Sequence, residues 1–466
     1  MKTYEDLYYS DDYHICLGPV DKKIKEIKCF HPDATHIADN AFENCQELKS
    51  VYFPDEIIIG KKAFSNCINL ENISFLKSAY IIDSFAFSDC ISLKQVEFPP
   101  TVIILEDNIF NNCNLDVLVM PKITRKKSDD FLKNCYIESI KVTGDFSVRD
   151  TINAKRFKIS EDVCFSIKDD ALLCDKSRVL LRYPCLKKEA PTSKFFKGLD
   201  SIERYAFKNC KFSKLNIDNI NMENFAFGDL EVDTLRLTNI HFENVQYIFE
   251  NSKIKNLILT NCTFKIDDFR INSLFGNADI GNIEISGGNF KIKNNILFAD
   301  DTLLYSLNNE KVTIIPKNIK RIASFAFRNS LTKNIVFEEN CNRMEIRNYC
   351  FSNNNTIERI FFDASTSGHI NFSEFAFDNC KNLKEVYLPK NFIPYCKTFS
   401  GSTFDKLYIS PNKILGNKEK LFEEETKDNA IKVIINDELA SKNLLNFQET
   451  CSSFKEINNL YKQISR

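Results

Sequence analysis

The stretch AFENCQELKSVYFP, residues 41–54, returns as AFSNCINLENISF at 63–75 and as AFSDCISLKQVEFP at 86–99. The shared skeleton is AF-x-x-C-x-x-L-x-x-[VI]-x-F, and it recurs after 22 and then 23 residues. Such a recurrence has three readings: a catalytic signature in copies, a cysteine array for a metal, or a building unit. The fixed letters are apolar or small and the variable ones polar, which is the pattern of a building unit.

The unit can be followed thirteen times in three blocks. The first holds Ala41-Phe42, Ala63-Phe64, Ala86-Phe87, Ile109-Phe110 and Asp130-Phe131. The second holds Ala206-Phe207, Ala226-Phe227, Ile248-Phe249 and Leu274-Phe275. The third holds Ala326-Phe327, Cys350-Phe351, Ala376-Phe377 and Thr398-Phe399. Steps of 20 to 26 residues fall in the leucine-rich-repeat range and below the ankyrin and tetratricopeptide ranges.

Within a unit, Val51, Tyr52 and Phe53 alternate as a strand does, and Pro54 ends that strand because proline cannot donate to a ladder. The run Ile57-Ile58-Ile59 then ends at Gly60. The spacing of Ala, Phe and Cys in KKAFSNC suits one helical turn with its apolar side inward. The fold class expected is therefore α+β: a leucine-rich-repeat solenoid with short strands on one face and short helical or 3₁₀ turns on the other. One coil cannot bury its own apolar face, so stacking must line up Phe42, Phe64, Phe87 and Phe110 in a column. Each buried phenylalanine contributes roughly 1.5–3 kcal/mol.

Composition narrows the function. The 62 Lys+Arg against 64 Asp+Glu, net charge -2, argue against a general polyanion or nucleic-acid binder. Phe is 41, Trp 0 and Gly only 12. Asparagine is frequent; it can replace glycine in turns, and an AT-rich genome would also enrich it. The start, MKTYEDLYYSDDYHICLG, has no basic segment followed by an apolar run, and no stretch is apolar enough for a membrane span. Taken with Met1 as the natural start, this places the chain in the cytoplasm; with a leader removed, it belongs at the cell surface or outside the cell. The 17 cysteines in so long a chain read as reduced, buried thiols rather than a disulfide framework.

Two segments interrupt the repeat. FSIKDDALLCDKSRVLLRYP (165–184) reads as a hairpin of Ala171–Cys174 with Val179–Leu181. NILFADDTLLYSLNNEKVTIIP (295–316) repeats the design, with Asn308-Asn309 at its turn. Beyond about 437, Leu444, Phe447, Cys451, Phe454 and Tyr461 fall near helical spacing. The organisation expected is an N-terminal cap (1–36), a first repeat block (37–145), a connecting segment with a hairpin (146–200), a second block (201–290), a second hairpin (291–325), a third block (326–412) and a helical C-terminal cap (413–466).

The unit C-x-x-L-x-x-V-x-F-P, a short apolar run ending I-G, then x-x-A-F-x-x-C, resembles the BspA-type leucine-rich repeat; PDEIIIGKKAFSNCINLENISF matches almost position for position. The hairpins resemble that family's D-G-x-L insert, with Ala171 and Thr302 in place of its glycine. The resemblance covers roughly residues 24–412. It implies a solenoid and a binding or adhesion role toward host or matrix proteins, and it supplies no catalytic residues.

The residues themselves point the same way. Cys45, Cys67, Cys90, Cys113 and Cys135 occur once per coil, which makes a line rather than a tetrahedron, and there is no C-x-x-C pair. Ser252, Ser330 and Ser402 take the same place in other coils, so a small buried side chain is what the position needs. His31 and His36 flank Asp33 without any zinc or catalytic motif, and ISGGNF (285–290) lacks the G-K-[ST] of a phosphate loop. Asp169-Asp170 and Asp300-Asp301 read as solvated turns. No catalytic, cofactor or metal site is expected, and the chain is read as a non-enzyme.

What varies from coil to coil is the outward strand position. It runs Lys28, Tyr52, Ser74, Glu97, Val119, Lys141; then Asn216, Arg236, Ile258, Glu284; then Val336, Phe361, Tyr387, Tyr408. Strand faces of curved solenoids commonly bind partners. Tyr52, Arg236, Phe361, Tyr387 and Tyr408 are the candidate partner-binding residues. The expected function is protein binding through this face, with self-association or a structural assembly role as the other reading.

Overall fold

The computed structural model describes residues 1–409 and 432–435, apart from 76–77, 99–100, 121, 127–129, 143–152, 161–164, 175–177, 266–272, 308–309, 339–342, 363–368, 389–391, 394–397 and 403–405. Each regular coil carries two strands rather than one. Ser50–Phe53 is the alternating strand expected, and Ile57–Ile59, with no polar letter to mark it, is a second strand in a different sheet. Gly60 follows because a Cβ there would stand 2.6 Å from the Ile37 carbonyl oxygen and 2.7 Å from Asp39 Oδ1.

The helical half of the expected α+β class is not what the chain does. Helix amounts to 1%, and among the described residues the one helix is Ser193–Phe196. The Ala-Phe-Cys segment is instead a pair of tight turns. Ala41, Glu43 and Cys45 donate backward within the coil to Ala38, Asn40 and Phe42. Asn40, Phe42 and Asn44 donate across to Lys61, Ala63 and Ser65 of the next coil. Asn40 (φ 57°) and Asn44 (φ 66°) are left-handed, and a right-handed helix cannot run through them. Half the N–H groups are thereby turned outward to bond the neighbouring coil, which a helix would have kept for itself. Among the described residues sixteen asparagines have positive φ, so the abundance of asparagine has a conformational use.

The chain forms about 14 turns of leucine-rich β-solenoid and divides into two units. The first is Met1–Ile240 with Ile248–Ile258. One of its sheets runs Ala154–Ile159, Tyr136–Val142, Asn114–Met120, Gln95–Glu97, Asn72–Phe75, Ser50–Phe53, Glu26–Ile27, all parallel. The other runs Lys2–Tyr4, Leu7–Tyr9, Ile15–Pro19, His36–Ile37, Ile57–Ile59, Ser78–Ile82, Thr101–Leu105, Lys122–Lys126. Between them the ring columns form as expected: Phe42 to Phe64 at 4.9 Å with planes at 2°, then Phe64 to Phe87 and Phe87 to Phe110 at 5.5 Å. Further along, Lys211–Asp218 pairs in parallel with Glu231–Thr238.

The second unit is His241–Tyr247 with Leu259–Arg466. One sheet runs Phe290–Lys293, Ile296–Ala299, Thr302–Ser306, Arg321–Ile322, Met344–Ile346, Ile370–Phe372, Phe392–Ile393. The other runs Val312–Ile315, Asn334–Phe337, Arg359–Phe362, Glu385–Tyr387, Lys406–Ile409, Lys432–Ile435. Phe327, Phe351, Phe377 and Phe399 stack at 4.9, 4.7 and 5.0 Å.

The interruptions are three-stranded meanders, and there are three of them among the described residues. Lys2–Tyr4, Leu7–Tyr9 and Ile15–Pro19 pair antiparallel; so do Phe165–Lys168, Ala171–Cys174 and Val179–Arg182; so do Phe290–Lys293, Ile296–Ala299 and Thr302–Ser306. Each opens on a two-residue turn with both residues left-handed: Glu5-Asp6, Asp169-Asp170 and Asn294-Asn295. That backbone matches the twist of the flanking strands. The last strand of each meander then pairs in parallel with the first regular coil.

Two expectations change accordingly. The second hairpin is Ile296–Ala299 with Thr302–Ser306, turned at Asp300-Asp301, while Val312–Ile315 joins the other sheet beside Asn334–Phe337. Thr302 therefore occupies the place of Val179, not of Ala171, since Val179 pairs with Ser201 as Thr302 pairs with Arg321. The Asn308-Asn309 turn lies outside the described residues. So does the C-terminal helical cap, except that Lys432–Ile435, within it, is a strand paired with Lys406–Ile409.

Candidate functional site

The outward strand column is set by register. In the second unit, Ile314, Val336, Phe361, Tyr387 and Tyr408 stand opposite one another on successive strands. Their neighbours Ile315, Ile335, Phe337, Ile360, Phe362 and Val386 point inward and are buried. Phe361 and Tyr387 are half-buried, with ring centroids 5.3 Å apart and planes tilted 52°. Val336 is 8% exposed, so it supports the rings rather than presenting itself. Ile314 extends the column by one coil; the sequence reading lost it because KVTIIP was assigned to the hairpin.

Charges flank the rings. Arg359 Nε donates to Glu385 Oε2 at 3.2 Å, across the same pair of strands. Glu358 sits between Lys384 at 2.8 Å and Lys333 at 3.1 Å. Those two ammonium groups, Lys384 first, hold the Glu358 carboxyl below the usual carboxylate range. The surface thus combines an apolar stripe with a rim of paired charges.

Tyr52 and Arg236 do not join this column. Tyr52 is 48% exposed and faces Ser74, with Glu97, Val119 and Lys141 farther along its sheet. Arg236 is exposed and stands beside Asn216. Tyr408 has its strand register described but not its side chain. Phe361 and Tyr387 are the candidates whose rings are seen together.

The cysteine line has a function the sequence did not disclose. Cys67, Cys90 and Cys113 donate S–H bonds to the carbonyl oxygens of Phe42, Phe64 and Phe87, one coil back, at 3.2, 3.2 and 3.1 Å. Ser252 and Ser402 bond Phe227 and Phe377 in the same way. The position asks for a small donor, not only a small side chain. Burial pushes the thiols up, Cys45 to about 11 and Cys67 and Cys113 to about 12, so they stay protonated.

His31, one of the two histidines flanking Asp33, is tied into the N-terminal turns. Asp33 N–H donates to His31 Nδ1 at 3.2 Å, and the Tyr13 ring stacks on His31 at 4.0 Å. Among the described residues no three His, Cys, Asp or Glu converge as metal ligands, and no helix is long and apolar enough to cross a membrane.

A family model described as BspA type Leucine rich repeat region matches six copies, over residues 21–168, 187–304 and 299–427. A comparison with curated proteins finds no match. Among solved structures, a leucine-rich repeat protein from Eubacterium ventriosum shares 16% identity, covering 82% of this chain and 84% of that one, at a TM-score of 0.33. One from Bacteroides ovatus shares 13%, covering 94% and 100%, at 0.30. A leucine rich cell surface protein from Faecalibacterium prausnitzii shares 16%, covering 85% and 96%, at 0.28.

Proposed function

Because the chain belongs to the BspA-type leucine-rich-repeat family, we propose that it is a non-enzymatic scaffold that captures a protein partner on the strand face of its second unit. Leucine-rich repeats are typically such scaffolds, and this family is often surface- or adhesion-related. The observation that carries the reading is the alignment of Phe361 and Tyr387 on adjacent strands, with Ile314 in the same register two strands away, all half-buried and rimmed by the Arg359–Glu385 and Lys333–Glu358–Lys384 pairs. Aromatic anchors within a charged rim are where binding energy concentrates in protein interfaces. Tyr52 and Arg236 belong to secondary contact points in the first unit.

The test replaces Tyr387 and Tyr408 by alanine together and compares affinity capture by the immobilised protein with that of the wild type. The reading expects the thermal midpoint to hold and the captured partner to disappear. Loss of folding would make these residues core, and undiminished capture would move the partner elsewhere.

A further inference from the structure

Six residues before each column phenylalanine, the second strand of a coil turns one side chain outward. In the coils of Phe207, Phe227, Phe327, Phe351 and Phe377 that place is polar: Ser201, Asn221, Arg321, Glu345 and Asn371. In three consecutive coils of the first unit it is isoleucine: Ile58, Ile81 and Ile104, before Phe64, Phe87 and Phe110. Register sets these three opposite one another. Their inward neighbours Ile59, Ile82 and Leu105 are fully buried, whereas the three themselves are only half-buried. The strand does not require an apolar residue at this place, since five coils do without one.

The stripe continues toward the start of the sheet. His36 pairs with Ile58 on one side and with Ile15 on the other. Ile15 is 38% exposed, and Leu17, on the same face of its strand, is 41% exposed. His36 is exposed and is the one polar member of the row. Its Nδ1 bonds Thr35 Oγ1 at 2.8 Å, so Nε2 is the ring nitrogen left to meet a partner. From Ile15 to Ile104 the stripe crosses five strands and is one side chain wide. At ~4.8 Å per strand it is about 19 Å long.

We propose that this stripe is the docking surface for an amphipathic α-helix of a protein partner, lying across the strands. Its dimensions select that occupant. A helix whose apolar residues fall three and four apart presents one every ~5.2 Å along its axis. That is close to the ~4.8 Å step of the strands. Over the three steps from His36 to Ile104 the two rows drift apart by about 1.4 Å, so four anchors stay in step. A second copy is disfavoured by area, because a row one side chain wide falls well short of the ~800 Å² per partner of a standard interface. An added strand is excluded as well. The strands that carry the isoleucines are paired on both sides, and strand addition needs a free edge. His36 fixes the register: the helix would carry an amide or hydroxyl opposite it, as a polar residue does in the seam of a coiled coil. This surface lies on the first unit and does not depend on the strand face proposed above.

The experiment uses the full chain and a synthetic helical peptide of about 18 residues, long enough to span the stripe. The peptide has leucine at its seam positions, one glutamine among them for His36, and lysine and glutamate elsewhere. Titration calorimetry should show saturable binding, and the same residues in scrambled order should not bind. Ile58→Thr with Ile81→Thr and Ile104→Thr should weaken binding about tenfold or more. Circular dichroism should be unchanged, because threonine keeps the β-branched shape that strands favour. A second arm needs no variant: a peptide with benzoylphenylalanine at one seam position should photo-crosslink to the stripe of the wild type. No binding, equal binding of the scrambled peptide, undiminished binding by the threonine variant, or crosslinks elsewhere overturn the proposal. So does a wild-type dimer in sedimentation that the threonine variant dissolves, since the stripe then serves a second copy.

Discussion

The coils between residues 41 and 120 and those between 326 and 402 close their turns with different chemistry. In the first region the closing residue is a thiol each time, and Cys67, Cys90 and Cys113 donate to the column phenylalanine one coil back. In the second region the same bond comes from Asn354 to Phe327, Cys380 to Phe351 and Ser402 to Phe377. The backbone carbonyl that each column phenylalanine leaves inside is the fixed requirement; the donor is free to vary. What varies with it is the interior nearby. The thiols sit beside buried Leu48, Leu70 and Leu93. Asn354 instead anchors a polar network: its amide also donates to Ser330 O at 2.9 Å, and its Oδ1 accepts from Thr356 N, Ile357 N and Thr356 Oγ1. A buried network of that kind stabilises only while every member is satisfied.

The sharpest break of this comparison is in what the two regions share. Phe64→Ala and Phe351→Ala should each cost about 3–5 kcal/mol, measured by urea unfolding, because each ring is stacked on both sides and fully buried. If one costs far less than the other, the two columns are not equivalent and the donor chemistry is shaping the packing around them.

Next in size is the donor itself. Asn354→Ala strands the Thr356 and Ile357 N–H groups and takes one donor from each of the Phe327 and Ser330 carbonyls, which keep Ser330 N–H and Thr356 Oγ1, and should cost roughly 2–4 kcal/mol. Cys67→Ala removes one weak bond from an apolar site and should cost about half as much or less. Equal losses in the two variants would mean that the polar network adds nothing beyond the shared bond.

The parts of this design that the sequence discloses are those with a distinctive period. The spacing of Phe42, Phe64 and Phe87 gives the column, and Val51-Tyr52-Phe53 gives its strand. Ile57–Ile59 stayed hidden as a strand because three isoleucines carry no alternation. The turns were misread because Ala, Phe and Cys fall at separations that a helical turn and a pair of left-handed turns both satisfy. The distinguishing letters were present: Asn40 and Asn44, four apart, repeated as Lys62 and Asn66, mark the two positions where a helix must break. Likewise Asp169-Asp170 and Asn294-Asn295 between apolar runs carry the two-residue turn that opens each meander. On the binding side, the outward column was legible because strand alternation is strict. Which rings meet was not, since that depends on register between strands separated by more than twenty residues.

The smallest expected effect tests the thiol side of the comparison most directly. Cys67→Ser keeps a small donor toward the Phe42 carbonyl but buries a hydroxyl where a thiol was, and at pH 7.5 should cost about 1 kcal/mol or less. The difference should shrink as pH rises. An ordinary thiol loses its proton near ~8.5, while burial pushes Cys67 up to about 12. Above ~8.5 the unfolded chain therefore binds fewer protons at this site than the folded one, so the stability present below that pH falls away as pH climbs toward the folded value. The slope is about 1.4 kcal/mol per pH unit for one thiol, and the serine variant does not share it. Urea midpoints at pH 7.5 and 9.5 should thus bring the variant level with the wild type or past it. Two proteins that lose stability in parallel would mean that Cys67 is not held protonated by burial, and that the thiol coils differ from the asparagine coil in packing alone.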